Sequence, residues 1–316
     1  MKKHLTILSL FLLTAFNAHS QNGRIIEQKR YVIADSVVAE IAKTLPNAQS
    51  LVAEIDFFNI TYLSDGLKVK GYLAIPKKPG KFPCVIVNRG GNRESGAWND
   101  FKVLRFFGEI ADWGYVVIGS QYRGNAGSEG REEFGGSDVN DILNLVPSLS
   151  QVDKADTSRI GMYGWSRGGM MTYLALTKTT KMKAAIVGSG MADAFIQTKK
   201  RPEMDTVFAE LAPGYYQNRD SVLRTRSAVY WVDKICQTTP LLLLTGSADW
   251  RVSPEEQFEM VRKLYEIKHP VRFEFFEGGQ HSLIEYNDEV NHVARNFLDT
   301  YVRDGKKWPS LDPHGK

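Results

Sequence analysis

Residues 161–170 read Gly-Met-Tyr-Gly-Trp-Ser-Arg-Gly-Gly-Met. Inside them Gly164-Trp165-Ser166-Arg167-Gly168 fits the pattern G-x-S-x-G. The pattern has a physical basis only between a strand and a helix, where the chain turns so sharply that side chains two residues either side of the serine would collide. The flanks meet that condition, because residues 159–163 read as a short strand and 168–178 as a helix. The serine is then held in strained backbone geometry, with Oγ above the N-terminus of the helix, where developing negative charge is favoured. A near match, Ala126-Gly127-Ser128-Glu129-Gly130, lacks both the first glycine and a preceding strand.

On the N-terminal side, apolar residues at helical spacing over 36–45 precede two strands, 53–62 and 67–75, joined at Ser64-Asp65-Gly66, a hairpin signal. Strands at 82–88, 115–120, 159–163, 184–187, 241–245 and 271–276 alternate with helices at 100–113, 138–149, 168–178, 254–267 and 287–302. Ser137 is placed to N-cap the helix at 138–149, and Pro254 opens the helix it begins. This alternation implies one doubly wound, mostly parallel α/β sheet, with ligands bound beyond the carboxyl ends of its strands. Residues 192–233 are polar and irregular and read as a small cap insertion above those ends. The chain thus divides into a leader (1–20), an N-terminal extension with a short helix (21–50), one α/β domain (51–304) and a tail (305–316).

The 316 residues carry 40 Lys+Arg against 36 Asp+Glu, a formal charge of +4. Lys2 and Lys3 belong to the leader, and the remaining excess makes no electrostatic case for nucleic acid or a membrane surface. Met1-Lys2-Lys3-His4 is a basic start, residues 5–16 are almost unbroken apolar, and Ala18-His19-Ser20 supplies small residues before Gln21. That is the pattern of a secretory signal peptide cleaved near Gln21, and it falls short of the roughly 20 apolar residues needed to span a bilayer. The mature protein is expected to be exported, periplasmic or secreted, with no membrane attachment after cleavage. Cys84 and Cys236 lie beside apolar runs, where buried free thiols are expected.

A serine hydroxyl is a poor nucleophile without a base. Beyond the leader the histidines are His269, His281, His292 and His314. His281 alone stands in a loop after the last strand, within Glu277-Gly278-Gly279-Gln280-His281-Ser282, at the edge that faces Ser166. No metal-ligand cluster competes for these histidines, and no cofactor is expected. The base needs a carboxylate to fix its tautomer, and the chain order serine, acid, histidine places that acid between 166 and 281 at a strand end. Asp249, in the loop behind strand 241–245, fits; Asp193 is the runner-up. The Arg167 backbone N–H is the first oxyanion donor by position. The second belongs to Asn88-Arg89-Gly90-Gly91-Asn92, from the Gly90 or Gly91 backbone or the Arg89 side chain.

These blocks, in this order, resemble the catalytic domain of the prolyl oligopeptidase family of serine peptidases, within the α/β-hydrolase superfamily. The resemblance runs from about residue 53 to 302. It rests on Gly164-Trp165-Ser166-Arg167-Gly168-Gly169, on Tyr122-Arg123-Gly124-Asn125-Ala126-Gly127 followed by residues 135–141, on residues 240–252, and on Phe276-Glu277-Gly278-Gly279-Gln280-His281. It implies the triad Ser166, Asp249 and His281. Three departures stand out. Only about 30 residues separate the leader from the first expected strand, leaving no room there for the family's β-propeller. Arg89 stands where family members place His or Tyr, so it either donates to the oxyanion or only braces its loop. Arg167 replaces an aromatic that often follows the nucleophile and lines a proline pocket, which weakens any case for proline specificity.

The expected activity is hydrolysis of a small peptide or ester substrate by acyl transfer. Peptide bonds are favoured by the resemblance, and a carboxylesterase acting on acyl esters or acylated glycans is the alternative. A non-catalytic binding protein is the reading from another class, and retention of all three triad residues argues against it. In the cap, the aromatics are expected to pack onto the core, and Lys199-Lys200-Arg201 to form a solvated face.

Overall fold

The structure is a computed structural model that describes residues 21–315. Nine strands form one sheet in the order β1-β2-β3-β5-β4-β6-β7-β8-β9. They are β1 (Ile25–Arg30), β2 (Ile55–Ser64), β3 (Leu67–Pro76), β4 (Phe82–Asn88), β5 (Val116–Ser120), β6 (Ala155–Trp165), β7 (Met182–Gly188), β8 (Leu241–Gly246) and β9 (Val271–Phe276). The first three pair antiparallel, as do β3 and β5, and every pair from β5 to β9 is parallel. The doubly wound, mostly parallel α/β sheet anticipated from the alternation is present, and its architecture is that of the α/β-hydrolase fold which the resemblance implied.

Parallel strands covered on both faces read as unbroken apolar runs. In β4, Cys84 and Ile86 pack into one core layer while Val85 and Val87 pack into the other. The first layer is closed by the helical segment 139–149, by α5 (Arg167–Leu176) and by α9 (Pro254–Glu266). The second is closed by α1 (Asp35–Ile41), α2 (Ala48–Glu54), α3 (100–112, with a π-helical middle at Val103–Gly108) and α10 (Asn287–Leu298). We number the segment 139–149 as α4. Cys84 and Cys236 are free thiols.

Four sequence expectations are corrected. Residues 21–50 are more than an extension, since β1 joins the sheet beside β2. Helix α2 occupies residues assigned to no element or to the start of the first strand. The cap is not irregular but holds α6 (Ala194–Lys200), α7 (Glu203–Leu211) and α8 (Arg219–Thr225). Ser137 does not cap α4: Asp138 occupies that position, and its carboxylate receives the Gly135 N–H at 3.0 Å.

The β2–β3 hairpin is tied to α4 through a buried ion pair. Asp141 accepts from Ser64 Oγ (2.6 Å), from the Arg123 amide (2.7 Å) and from the Arg123 guanidinium (2.8 Å). Both charged side chains are almost wholly inaccessible. Removing one partner leaves the other charge buried and unpaired. Asp141→Ala is therefore expected to lower stability by about 3–5 kcal/mol, measurable by urea denaturation; a loss under about 1 kcal/mol would mean that Arg123 finds water instead.

Candidate active site

Strands β4, β6, β7, β8 and β9 all end at one rim of the sheet, and their carboxyl-end loops carry the anticipated residues. Ser166 lies between β6 and α5 at φ 59° and ψ −124°. Its amide donates to Gly188 O at 2.8 Å, and its carbonyl accepts from Gly169 and Met191. A Cβ at Gly164 would stand 2.1 Å from Gly168 O, and one at Gly168 would stand 2.0 Å from Asn88 O. No side chain fits at either position, so the spacing of the motif is a steric requirement.

The loop after β8 brings Asp249 to the loop after β9. His281 Nδ1 lies 2.8 Å and 3.0 Å from the two Asp249 carboxylate oxygens. The Asp249 side chain is fully buried, and its Oδ1 also accepts the Arg251 and Val252 amides at 2.8 and 3.0 Å. Asp249 is thus the acid that meets His281. Asp193, the runner-up, instead caps α6 through the Phe195 and Ile196 amides. Ser166 and His281 are not hydrogen-bonded to each other in this conformation; bonds of this kind commonly tighten in the substrate complex.

The first amides of a helix have no intrahelical acceptor, which leaves the Arg167 N–H, at the start of α5, available beside Ser166. Gly90 backs onto the nucleophile so closely that a Cβ there would be 3.1 Å from Ser166 Cβ. Arg89 is different. Its Nε donates to Gln121 O at 2.9 Å and both terminal nitrogens to Arg93 O at 3.2 Å, from a side chain that is completely buried. Burial and the neighbouring Arg167 pull this guanidinium down to about 10. The structure therefore favours the bracing role for Arg89 over the side-chain oxyanion donor.

Side chains that sequence reasoning missed complete the site. The Arg167 guanidinium is buried against Glu132 and Asp138, donates to Gly91 O at 3.0 Å, and lies over the Phe134 and Tyr122 rings. Burial pushes the Glu132 carboxyl up, but Arg167 and the Arg93 amide bring it below its ordinary value. Trp165 Nε1 donates to His281 O at 2.9 Å, tying the histidine loop to the serine turn. Glu256, buried in α9, accepts the Ala192 and Asp193 amides at 3.0 Å each and so holds the base of the cap. The signal for Trp165 and Arg167 was their place inside the motif; Glu256 carried none.

Trp165→Phe keeps an aromatic side chain but loses the indole N–H that bonds His281 O, and kcat is expected to fall about tenfold with little change in KM, because the base is less well placed. A rise in KM with kcat unchanged would instead assign Trp165 to substrate binding. Burial pushes the Glu256 carboxyl up to about 8, with Asp193 and Asp249 adding to the push. An acid with a raised folded value stabilises fully below its unfolded value and loses that stability as pH rises through the folded one. Glu256→Gln, which still accepts an amide, should therefore flatten the decline in Tm between about pH 5 and 8. Parallel melting curves across that range for both proteins would refute this.

Comparison with known proteins fits this geometry. The model of the prolyl oligopeptidase family matches residues 102–304. An uncharacterized peptidase of Bacillus subtilis, YtmA, is 30% identical over 228 residues, covering 72% of this chain and 86% of that protein. Dipeptidyl-peptidase 5 of Porphyromonas gingivalis is 27% identical, covering 69% of this chain but only 33% of its own length, so the chain spans about a third of that relative. Among solved structures, the acylaminoacyl peptidase of Pyrococcus horikoshii superposes with a TM-score of 0.70 at 21% identity, over 84% of this chain and 45% of that one. An esterase of Pyrococcus furiosus does so at 0.64 and 17% identity, over 80% and 93%. These two show the shared fold. The family match, covering most of the chain, and the Bacillus relative establish that this chain belongs to the prolyl oligopeptidase family, a family of serine hydrolases with the α/β-hydrolase fold.

Proposed function

We propose that the protein is an exported serine hydrolase that cleaves peptide (amide) bonds through an acyl-enzyme intermediate. The observation that carries this reading is the two-oxygen contact of Asp249 with His281 Nδ1 at 2.8 and 3.0 Å, beside a serine held at positive φ. With Nδ1 committed to Asp249, the imidazole presents Nε2 outward as the base. Ser166 Oγ attacks the carbonyl carbon as Nε2 takes its proton. The Arg167 amide, with that of Gly90 or Gly91, holds the oxyanion. Nε2 then protonates the departing amine, and water, deprotonated by the same nitrogen, releases the acid.

Export is supported by the leader pattern at residues 1–20, which lies outside the described residues. The esterase alternative uses the same steps with an alkoxide leaving group. The small cavity at Ser166, about 250 Å³, is compatible with an acyl group on either kind of substrate.

A fluorophosphonate probe should label the purified protein, and Ser166→Ala should abolish labelling; labelling that persists would mean another serine reacts. Asp249→Asn should lower kcat by roughly 10⁴-fold with the fold intact. Peptide p-nitroanilides assayed beside p-nitrophenyl esters separate the two substrate classes, since ester turnover without any amide cleavage would overturn the peptidase reading. Sequencing the N-terminus of protein recovered outside the cytoplasm should find Gln21 first.

A further inference from the structure

Ser166 stands in the wall of a cavity of about 250 Å³, and His281 does not. In acyl transfer the histidine hands its proton to the leaving group. The leaving group therefore departs on the His281 side, and this cavity receives the acyl half of the substrate. Part of its lining is apolar, from Phe134, Met191, Met204 and Val252. Its charged lining consists of Arg167, Arg201 and Arg251, with no carboxylate.

The three arginines are not equivalent. Arg167 is neutralised by Glu132 and Asp138. Arg201, the residue expected on a solvated face, turns into the site with its side chain 21% exposed, and pairs through Nε with Glu203 at 2.8 Å. Arg251 makes no ion pair among the described residues. Its guanidinium lies 4.9 Å from the centroid of the exposed Trp250 ring, and that of Arg201 lies 5.4 Å from the same ring. Arg201 and Gln197 both donate to the Arg251 carbonyl, at 3.3 and 2.6 Å, which fixes the main chain there.

Two guanidiniums thus gather around one indole, and of the two only Arg201 has a carboxylate partner, the largely exposed Glu203. On the cap side Lys200 pairs with Glu255, and Arg93 pairs with Glu210. Arg251, an exposed residue at the mouth of the cavity, is left without a counterion among the described residues. A guanidinium is a rigid planar donor that matches a carboxylate with two parallel hydrogen bonds.

We propose that the acyl portion of the substrate carries a carboxylate, received by Arg251 and Arg201, so that the enzyme acts on acyl groups of acidic residues or dicarboxylic acids. The apolar lining takes the methylene chain and the arginines take the charge. This rests on the proposed acyl transfer at Ser166, which decides the half of the substrate that enters the cavity.

The test compares N-acetylglutamate α-amide with N-acetylglutamine α-amide, which differ by one side-chain charge, by calorimetric titration of the Ser166→Ala protein. The glutamate amide should bind about tenfold or more tightly, the scale of a charge-assisted bond. In the active protein the same ratio should appear in kcat/KM for glutamyl over glutaminyl p-nitroanilides. Arg251→Gln and Arg201→Gln should each bring the ratio towards one, while Arg251→Lys retains part of it. Circular dichroism guards against unfolded variants. Equal binding of the two amides overturns the proposal, and so does an Arg251→Gln protein that loses both equally, since that is the mark of a general backbone contact. Because binding is read without turnover, failure of fluorophosphonate labelling would sink only the hydrolase reading, whereas equal binding sinks only the carboxylate.

Discussion

The backbone of Ser166 occupies a conformation that costs a residue with a side chain on the order of 1–3 kcal/mol, at φ 59° and ψ −124°. It is tolerated because the surroundings leave the chain no alternative. The serine amide is bound to Gly188, its carbonyl holds the start of α5 and the Met191 amide, and Gly164 and Gly168 approach so closely that nothing larger fits. These constraints need a central strand, with neighbours paired on both sides, and a helix starting at once. β6 lies between β4 and β7 in the sheet, and the rest of the site is arranged around the place where it ends.

The second constraint is the charge beside the nucleophile. A guanidinium taken out of water needs close, well-aligned partners, and Arg167 finds Glu132 and Asp138 together with the faces of Phe134 and Tyr122. Residues 122–138 thereby become a wall of the site rather than a surface loop. The Tyr122 ring also carries Arg89, 5.1 Å from its centroid, so the oxyanion loop and the nucleophile helix are braced through one aromatic side chain.

Strands buried on both faces were legible as apolar runs, and the order of Ser166, Asp249 and His281 followed from which loops leave which strand ends. What escaped reading was held by partners rather than by local pattern. β1 is an edge strand with only one neighbour and mostly exposed side chains, so Ile25–Arg30 has no apolar run to mark it. The cap helices are short, and their burial against the core is decided by contacts distant in sequence. Arg89 could not be assigned in advance, because a long side chain before two glycines can turn either way; the carbonyls of Gln121 and Arg93 decide it. Arg201 looked like part of an exposed basic run, and only the fold of α6 and α7 turns it towards Ser166.

The connection from β8 into α9 is only a few residues long, yet Asp249, Arg251, Val252 and Glu256 all stand on it or at its far end. It orients the base, lines the cavity and anchors the cap. Tinkering with any of these properties therefore disturbs the others, and an insertion or deletion there would throw all three out of register at once. Diversification of this scaffold has more freedom on the opposite side of the cavity, in α6 and α7, where a changed side chain alters what is admitted and leaves the proton-transfer geometry alone.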